Sequence, residues 1–167
     1  LIDEKKCSGR VEELEKILIK NPSNGNIGIG HVRWATHGIP NIINAHPHSS
    51  EKVSVVHNGI IENSDELKKD LEEKGFKFKS QTDTEVITVL VTQFLQHAQP
   101  LDSVFKTLKK LKGSFALGII FKNFSDIIIG ARRGSRLAVG YSKDENYLGS
   151  DSYALKSMSN KISYVDD

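Results

Sequence analysis

A change in hydrophobic period near Gly113 places the strongest limit on how this chain can fold. Before Gly113, apolar residues recur at helical spacing in several segments that end at Gly, Asn or Pro. After it, short apolar runs alternate with polar turns, which is typical of antiparallel strands. Helices followed by a hairpin-rich half predict an α+β fold in which two or three helices cover a sheet.

The predicted helices follow from apolar spacing and from capping residues. They are 11–21, 63–75 with Asn63 as N-cap, 82–96, and 101–111 with Gly113 as the stop. The predicted strands are 27–34, 53–57, 76–80, 114–121, 127–131, 137–140, 147–149 and 162–165, with a helical turn at 151–156 and a loop at 38–50.

Composition indicates one globular domain. The chain has 167 residues, of which 38% are hydrophobic and 26% charged, with a net charge of +2. Lys and Glu alternate in 68–74, as on a solvated helix face, so we expect no nucleic-acid partner. We also expect no membrane partner, because no apolar run approaches the length of a membrane span. A single cysteine, Cys7, excludes an internal disulfide and fits a cytoplasmic protein.

The densest group of polar and aromatic residues is 31–38, where a predicted strand runs into a loop. Arg33 can bind a carboxylate through two parallel hydrogen bonds, and Thr36 and His37 add donors for the same anion. The plain alternative is an exposed strand end with ordinary surface side chains.

Asn58-Gly59 follows a short β-branched run and has two interpretations. Asn-Gly is the strongest short signal for a two-residue hairpin turn. It could instead present the Asn58 side-chain amide and the Gly59 N–H together, as in an oxyanion hole. The residues that follow lead to a helix cap rather than a returning strand, and both interpretations stay open.

Asp83 stands at the start of a predicted helix, where an acidic residue commonly stabilises the first turn. It could also hold a ligand ammonium group. An Arg for a carboxylate and an Asp for an amine would together recognise a free amino acid.

Two other segments suggest sites on weaker grounds. His46 and His48 lack the acidic or Cys neighbours of a metal centre, so we expect a loop that shapes the site and no metal. The Gly- and Arg-containing run 130–135 lacks the Gly-Lys-Ser/Thr ending of a phosphate loop, and we expect a hairpin turn there.

Taken in order, the segments 30–38, 44–48, 55–63, 81–87, 111–116 and 150–155 resemble the class II, N-terminal-nucleophile (Ntn) glutamine amidotransferases. The likeness covers nearly the whole chain. Trp34 directly after Arg33, and the run 45–48, favour the members that use a sugar phosphate over those that use a phosphoribosyl acceptor.

The resemblance implies a role for each matching residue. Arg33, Thr36 and His37 would hold the α-carboxylate of glutamine, and Asp83 its ammonium group, helped by the Gly59 carbonyl. Asn58 and Gly59 would form the oxyanion hole. Trp34 would lie on a loop that closes over glutamine and gates ammonia.

The resemblance also implies a fold and partners. The fold would be the four-layer αββα Ntn-hydrolase sandwich, with 1–167 as a partial amidotransferase domain. The substrates would be L-glutamine and, through an isomerase domain outside this sequence, fructose 6-phosphate. The parent protein would be a cytoplasmic homodimer without a cofactor.

The sequence departs from the family at its start. The family's nucleophile is an N-terminal cysteine whose own α-amine is the base, whereas this sequence opens at Leu1. Cys7 has no free α-amine, and we interpret it as a bystander. We therefore expect the family's first strand and helix to be missing here, and residues 1–167 alone to be inactive.

Three other functions remain as alternatives. The chain could serve a class II amidotransferase with another acceptor. It could be a glutamine-binding module without catalysis, or a structural fragment that binds nothing.

Overall fold

The computed structural model describes residues 2–33, 39 and 41–167. The described strands form two antiparallel sheets, with strand orders β1-β2-β3-β4 and β6-β5-β7. The strands are β1 His48–Ser49, β2 Val53–Ile61, β3 Gly113–Phe121, β4 Phe124–Arg133, β5 Ala138–Tyr141, β6 Asn146–Gly149 and β7 Lys161–Tyr164. The helices are α1 Val11–Lys20, α2 Ser64–Glu73, α3 Asp83–Phe94, α4 Pro100–Leu108 and α5 Ser152–Leu155.

The layers are helices, sheet, sheet and a short helix. Helix α3 packs on β2 and is flanked by α2 and α4, while α5 packs on the second sheet. The two sheets face each other, since a β carbon on Gly130 of β4 would lie 2.8 Å from Leu148 of β6. This is the αββα order that was predicted.

The core lies between α3 and the first sheet. On α3, Val86, Ile87, Leu90 and Val91 are almost fully buried, and they meet the inward side chains of β2 and β3 such as Leu117. Each such burial stabilises the fold by about 1.5–3 kcal/mol. Helix α3 is thereby fixed against β2, and this contact positions the candidate site.

Most predicted elements are confirmed, with end points shifted by a few residues. Helices α1, α2 and α3 match 11–21, 63–75 and 82–96 closely. Helix α4 ends at Leu108 rather than at 111, and Gly113 belongs to β3 rather than stopping a helix.

Strand β2 differs from prediction at Asn58 and Gly59. The strand does not end before them but continues to Ile61, and Gly59 pairs with Phe115 of β3. The hairpin-turn interpretation of Asn58-Gly59 is therefore wrong. Gly59 has φ +125°, and a β carbon there would lie 2.1 Å from the Ser114 carbonyl oxygen. Only glycine allows the two strands to approach this closely.

Two predicted strands do not form. No strand is present among the described residues 27–33, because alternation of apolar residues does not supply a pairing partner. Residues 76–80, all described, also form no strand. There the backbone N–H groups of Lys79 and Ser80 donate to the Glu85 carboxylate, at 2.9 and 2.6 Å, and are unavailable to a sheet.

Loops differ from prediction in three places. Segment 130–135 is not a hairpin turn, since β4 and β5 belong to different sheets. The predicted loop 38–50 contains β1. Asn63 stands at the N-cap of α2, but its side chain makes no cap hydrogen bond. It bonds instead to the Lys110 carbonyl and the Lys112 N–H, in the segment between α4 and β3.

The predicted solvated face of α2 is partly covered, since the Lys68 ammonium group lies 5.2 Å from the centre of the Phe78 ring. Of the helices that the structure describes, none is both long enough and apolar enough to span a bilayer.

Candidate functional site

The candidate site lies where the end of β2 meets the start of α3. Asp83 is the first residue of α3, and its Oδ2 accepts a hydrogen bond of 2.9 Å from the backbone N–H of Ile61. The carboxylate is thus directed at the strand rather than capping its own helix. Its side chain is 10% exposed, and its partner Ile61 follows Gly59 by two positions along β2.

Asn58 and Gly59 lie on the open side of the same strand. Both are exposed, while Val55 and His57 point into the protein. Asn58, His31 and His57 line a cavity of about 530 Å³ between the two sheets. The Oδ1 atom of Asn58 lies 2.8 Å from Nε2 of His31, so one end of its amide is engaged.

A buried hydroxyl connects two histidines beneath the site. Oγ1 of Thr84 lies 2.9 Å from Nε2 of His46 and 3.0 Å from Nδ1 of His57. A hydroxyl has one hydrogen to donate and lone pairs with which to accept. Thr84 therefore accepts a hydrogen bond from at least one of the two rings. The nitrogen that carries the hydrogen in one ring thus restricts the choice in the other.

The segment 41–48 is held on the start of α3 by alternate residues. Asn44 pairs with Gln81, accepting from its N–H at 2.9 Å and donating to its Oε1 at 3.2 Å. His46 bonds to Thr84, and His48 bonds to Thr82 at 2.9 Å. The structure thus places His46 against Thr84 of α3, the residue next in sequence to Asp83.

Burial keeps these histidines neutral. It lowers the pKa of His46 to about 2, with a further contribution from the nearby His31. Burial likewise lowers the pKa of His48 to about 4. For His57, burial outweighs the opposing effect of Asp83 and lowers the pKa to about 4. His57 Nδ1 lies 3.8 Å from Asp83 Oδ1, and a neutral ring makes this a polar contact rather than an ion pair.

Arg33 lies on the other side of His31. It lines a second cavity of about 220 Å³ together with His31, His46 and Cys7. Its Nη1 donates to the Ile39 carbonyl at 3.2 Å. Trp34, Thr36 and His37, the other predicted binding residues, lie outside the described residues.

The predicted residues therefore fall into two groups around His31. Asn58 and Gly59 lie on β2 shortly before Ile61, the residue that binds Asp83. Arg33 lines the other cavity that His31 borders. Within residues 2–33, 39 and 41–167, no three His, Cys, Asp or Glu side chains are grouped as metal ligands.

Sequence reasoning assigned no role to His31, His57 or Thr84. A usable signal exists for His57, since Val53, Val55 and His57 alternate along β2 and all point inward. A histidine in the apolar phase of a strand needs a buried polar partner. Thr84 follows Asp83 and faces the same strand, but this contact is not visible in the sequence.

Comparison with known proteins gives consistent matches. The family model described as "Glutamine amidotransferase domain" matches residues 40–157. The chain is 50% identical to a glutamine–fructose-6-phosphate aminotransferase (isomerizing) of Zymomonas mobilis subsp. mobilis, and 47% identical to one of Gluconobacter oxydans. Each match covers 99% of this chain, and the chain spans 28% of the length of either relative.

Two solved structures share the fold. One is the glutamine phosphoribosylpyrophosphate (PRPP) amidotransferase from B. subtilis in complex with ADP and GMP, at 29% identity and a TM-score of 0.64. The other is described as the allosteric regulatory enzyme of purine biosynthesis, at 30% identity and a TM-score of 0.65. Each match covers 75% of this chain and 28% of the other. The two-sheet core is thus an Ntn-hydrolase fold, and the chain belongs to the glutamine amidotransferase family.

Proposed function

We propose that this chain is the glutamine-handling part of an enzyme that moves the amide nitrogen of glutamine to fructose 6-phosphate. The observation that carries the proposal is the junction of β2 and α3, where the Asp83 carboxylate accepts from the N–H of Ile61, two positions after Gly59. An amine-binding acid and a pair of hydrogen-bond donors are groups that hydrolysis of an amino-acid amide uses in addition to its nucleophile.

In this proposal, Asn58 and Gly59 stabilise the reaction's developing charge. The attacking group would be the N-terminal cysteine thiolate that the family uses, a role that we do not assign to Cys7. Its attack on the amide carbon places negative charge on the amide oxygen, after which a γ-glutamyl thioester forms and ammonia leaves. Water then cleaves the thioester to glutamate and frees the thiol. The Asn58 amide and the Gly59 N–H would donate to the charged amide oxygen. Preorganised donors of this kind are usually the largest electrostatic contribution to catalysis.

Asp83 and Arg33 would recognise the amino-acid end of glutamine. The Ile61 N–H occupies one oxygen of Asp83 and leaves Oδ1 for a ligand ammonium group. Arg33 would receive the carboxylate, with Thr36 and His37 as further donors and Trp34 over the bound substrate. These last three assignments rest on sequence likeness.

Relatives of 47–50% identity support fructose 6-phosphate as the acceptor. They are named for that substrate, whereas one of the solved structures is named for a phosphoribosyl substrate and is 29% identical. Because the chain spans only 28% of these relatives, the acceptor would bind on an isomerase domain elsewhere in the protein.

The proposal is tested by replacing the two charged residues in the protein at its full natural length. Losing one partner of a desolvated charge pair costs about 2–5 kcal/mol, or a factor of roughly thirty to several thousand. Arg33→Ala and Asp83→Ala should each lower kcat/KM for glutamine by such a factor, measured as glutamate release. Amination driven by added ammonia should persist, since the acceptor binds elsewhere.

Matched substitutions at exposed positions serve as controls. Arg136→Ala and Asp126→Ala remove the same side chains from the surface and should leave kcat/KM unchanged. If Arg33→Ala and Asp83→Ala also remain within a few-fold of wild type, these residues do not form the glutamine pocket.

Asn58→Ala separates catalysis from binding. It removes a donor to charge that exists only in the transition state, so kcat should fall by about 10²–10³ with little change in KM. A rise in KM at constant kcat would instead place Asn58 among the binding residues.

A further inference from the structure

His31 holds one end of the amide that the proposed function uses for catalysis. Its Nε2 lies 2.8 Å from Oδ1 of Asn58, 27 residues away in the sequence. An amide oxygen can only accept a hydrogen bond, so with the Asn58 amide in this orientation the Nε2 atom of His31 carries a hydrogen. The amide nitrogen of Asn58 then points away from His31 and keeps its hydrogens for another acceptor.

We propose that His31 is a positioning residue that sets which end of the Asn58 amide faces the substrate. It would act through Asn58 rather than on the substrate. The proposal rests on the proposed function, in which the Asn58 amide nitrogen donates to the developing oxyanion.

The surroundings of His31 favour the required tautomer. Nδ1 of His31 is buried and has no hydrogen-bond partner among the residues that the structure describes. If the hydrogen sat on Nδ1, a buried N–H would be unpaired, which is rarer in proteins than an unpaired acceptor. The bare Nε2 would also face the lone pairs of Oδ1. With the hydrogen on Nε2, only an acceptor is left unpaired.

The neighbouring ring reinforces this arrangement. His31 and His46 stack with ring centroids 4.2 Å apart and an interplanar angle of 34°. Burial keeps the pKa of His46 at about 2, so the ring beneath His31 is uncharged at neutral pH. Thr84 in turn holds His46 through Nε2. A chain of contacts from α3 through His46 to His31 therefore supports the Asn58 amide.

Reversal of the amide would be harmful as well as unproductive. The two ends of an asparagine amide have nearly the same shape, so packing alone does not distinguish them. A reversed Asn58 would present oxygen where negative charge develops. An unrestrained Asn58 would divide its time between productive and unproductive orientations, which lowers kcat and leaves glutamine binding unchanged.

The kinetic test compares His31→Phe, His31→Gln, Asn58→Ala and the double variant His31→Phe/Asn58→Ala in the protein at its full natural length. Loss of one neutral hydrogen bond corresponds to a factor of about 2–13. We expect kcat of His31→Phe to fall by about that factor at unchanged KM. His31→Gln, which can keep an N–H at the Nε2 position, should recover most of the loss. In the Asn58→Ala background, His31→Phe should have no further effect.

The result that would overturn the proposal is an equal fall in kcat with and without Asn58, or an effect on KM alone. His97→Phe makes the same substitution at an exposed histidine and should behave as wild type. If the unaltered protein does not hydrolyse glutamine, the proposed function fails, and the tautomer measurement still decides the role of His31.

That measurement is a proton–nitrogen correlation spectrum of the imidazole side chains of ¹⁵N-histidine-labelled protein. We expect the hydrogen of His31 on Nε2 in the unaltered protein, and a mixture of tautomers in Asn58→Ala. A hydrogen on Nδ1 in the unaltered protein would refute the proposal, as would an unchanged His31 spectrum in Asn58→Ala.

Discussion

Replacing Gly59 with alanine tests the closest approach of two strands in this fold. Gly59 has φ +125°, a region that other residues occupy only at a cost of about 1–3 kcal/mol. The added β carbon would also lie 2.1 Å from the Ser114 carbonyl oxygen and 2.9 Å from the Phe115 α carbon. Both neighbours are backbone of β3, so a side-chain rotation cannot relieve the overlap.

The expected loss of stability follows from these two effects. Forced movement of packed atoms adds about 1–3 kcal/mol to the backbone cost. Gly59→Ala should therefore lower the free energy of unfolding by about 2–6 kcal/mol, a large part of the 5–15 kcal/mol typical of a domain. Urea denaturation followed by far-ultraviolet circular dichroism measures this difference.

Gly75 provides a matched control. Its φ is +88°, but a β carbon there would meet no described heavy atom within 4 Å. Gly75→Ala thus carries the backbone cost without the overlap and should be the milder change by about 1–3 kcal/mol. If the two variants unfold at the same urea concentration, the close approach of β2 and β3 does not restrict position 59.

The buried Thr84 hydroxyl and the neutral histidines give two further predictions. Thr84→Val should lower the melting temperature, because it leaves His46 and His57 without their buried hydrogen-bond partner, at a cost in stability of about 1–3 kcal/mol per group. Thr84→Ser keeps the hydroxyl and should melt near wild type. Equal melting temperatures for the two variants would contradict this role of Thr84. The free energy of unfolding should also fall as pH drops from about 6.5 toward 4. In the unfolded chain His48 and His57 become protonated in this range, whereas in the folded protein burial lowers their pKa values to about 4 and they stay neutral. A flat unfolding free energy over that pH range would show that these rings are not buried in the neutral form.

Local patterns in the sequence predict the elements whose stability is local. Helix α2 is bounded by Asn63 and Gly75, and its period and end signals were sufficient to place it. The strands of the second half also followed prediction as apolar runs between turn residues, except that β4 continues to Arg133 through most of the predicted turn at 130–135.

The errors occur where a residue's role depends on a distant partner. Asn58 and Gly59 have the composition of a turn, yet β3 extends β2 through them. Residues 76–80 have the alternation of a strand, but the Glu85 carboxylate takes two of their backbone donors. Neither partner can be identified from spacing along the chain.

The candidate site shows the same division. The charge and hydrogen-bonding capacity of Asp83 and Asn58 pointed to chemistry from sequence alone. The supporting contacts could not be predicted from the sequence, because the partners are far apart along the chain. His31 and Asn58 are 27 positions apart, and so are His57 and Thr84. Chemistry can be inferred from residue type, whereas support by neighbouring side chains is visible only in three dimensions.

The alternate contacts of Asn44, His46 and His48 with the start of α3 limit insertions and deletions in this segment. Surface loops generally accept changes of length at small cost. Here three side chains separated by two positions each must reach Gln81, Thr84 and Thr82. One residue added between Asn44 and His46 would displace His46 and His48 relative to Asn44, so that the three contacts could not all form. The length of this loop from 44 to 48 should therefore stay fixed, and Asn41 also contributes to it, since its Oδ1 accepts from the Asn44 N–H at 2.8 Å.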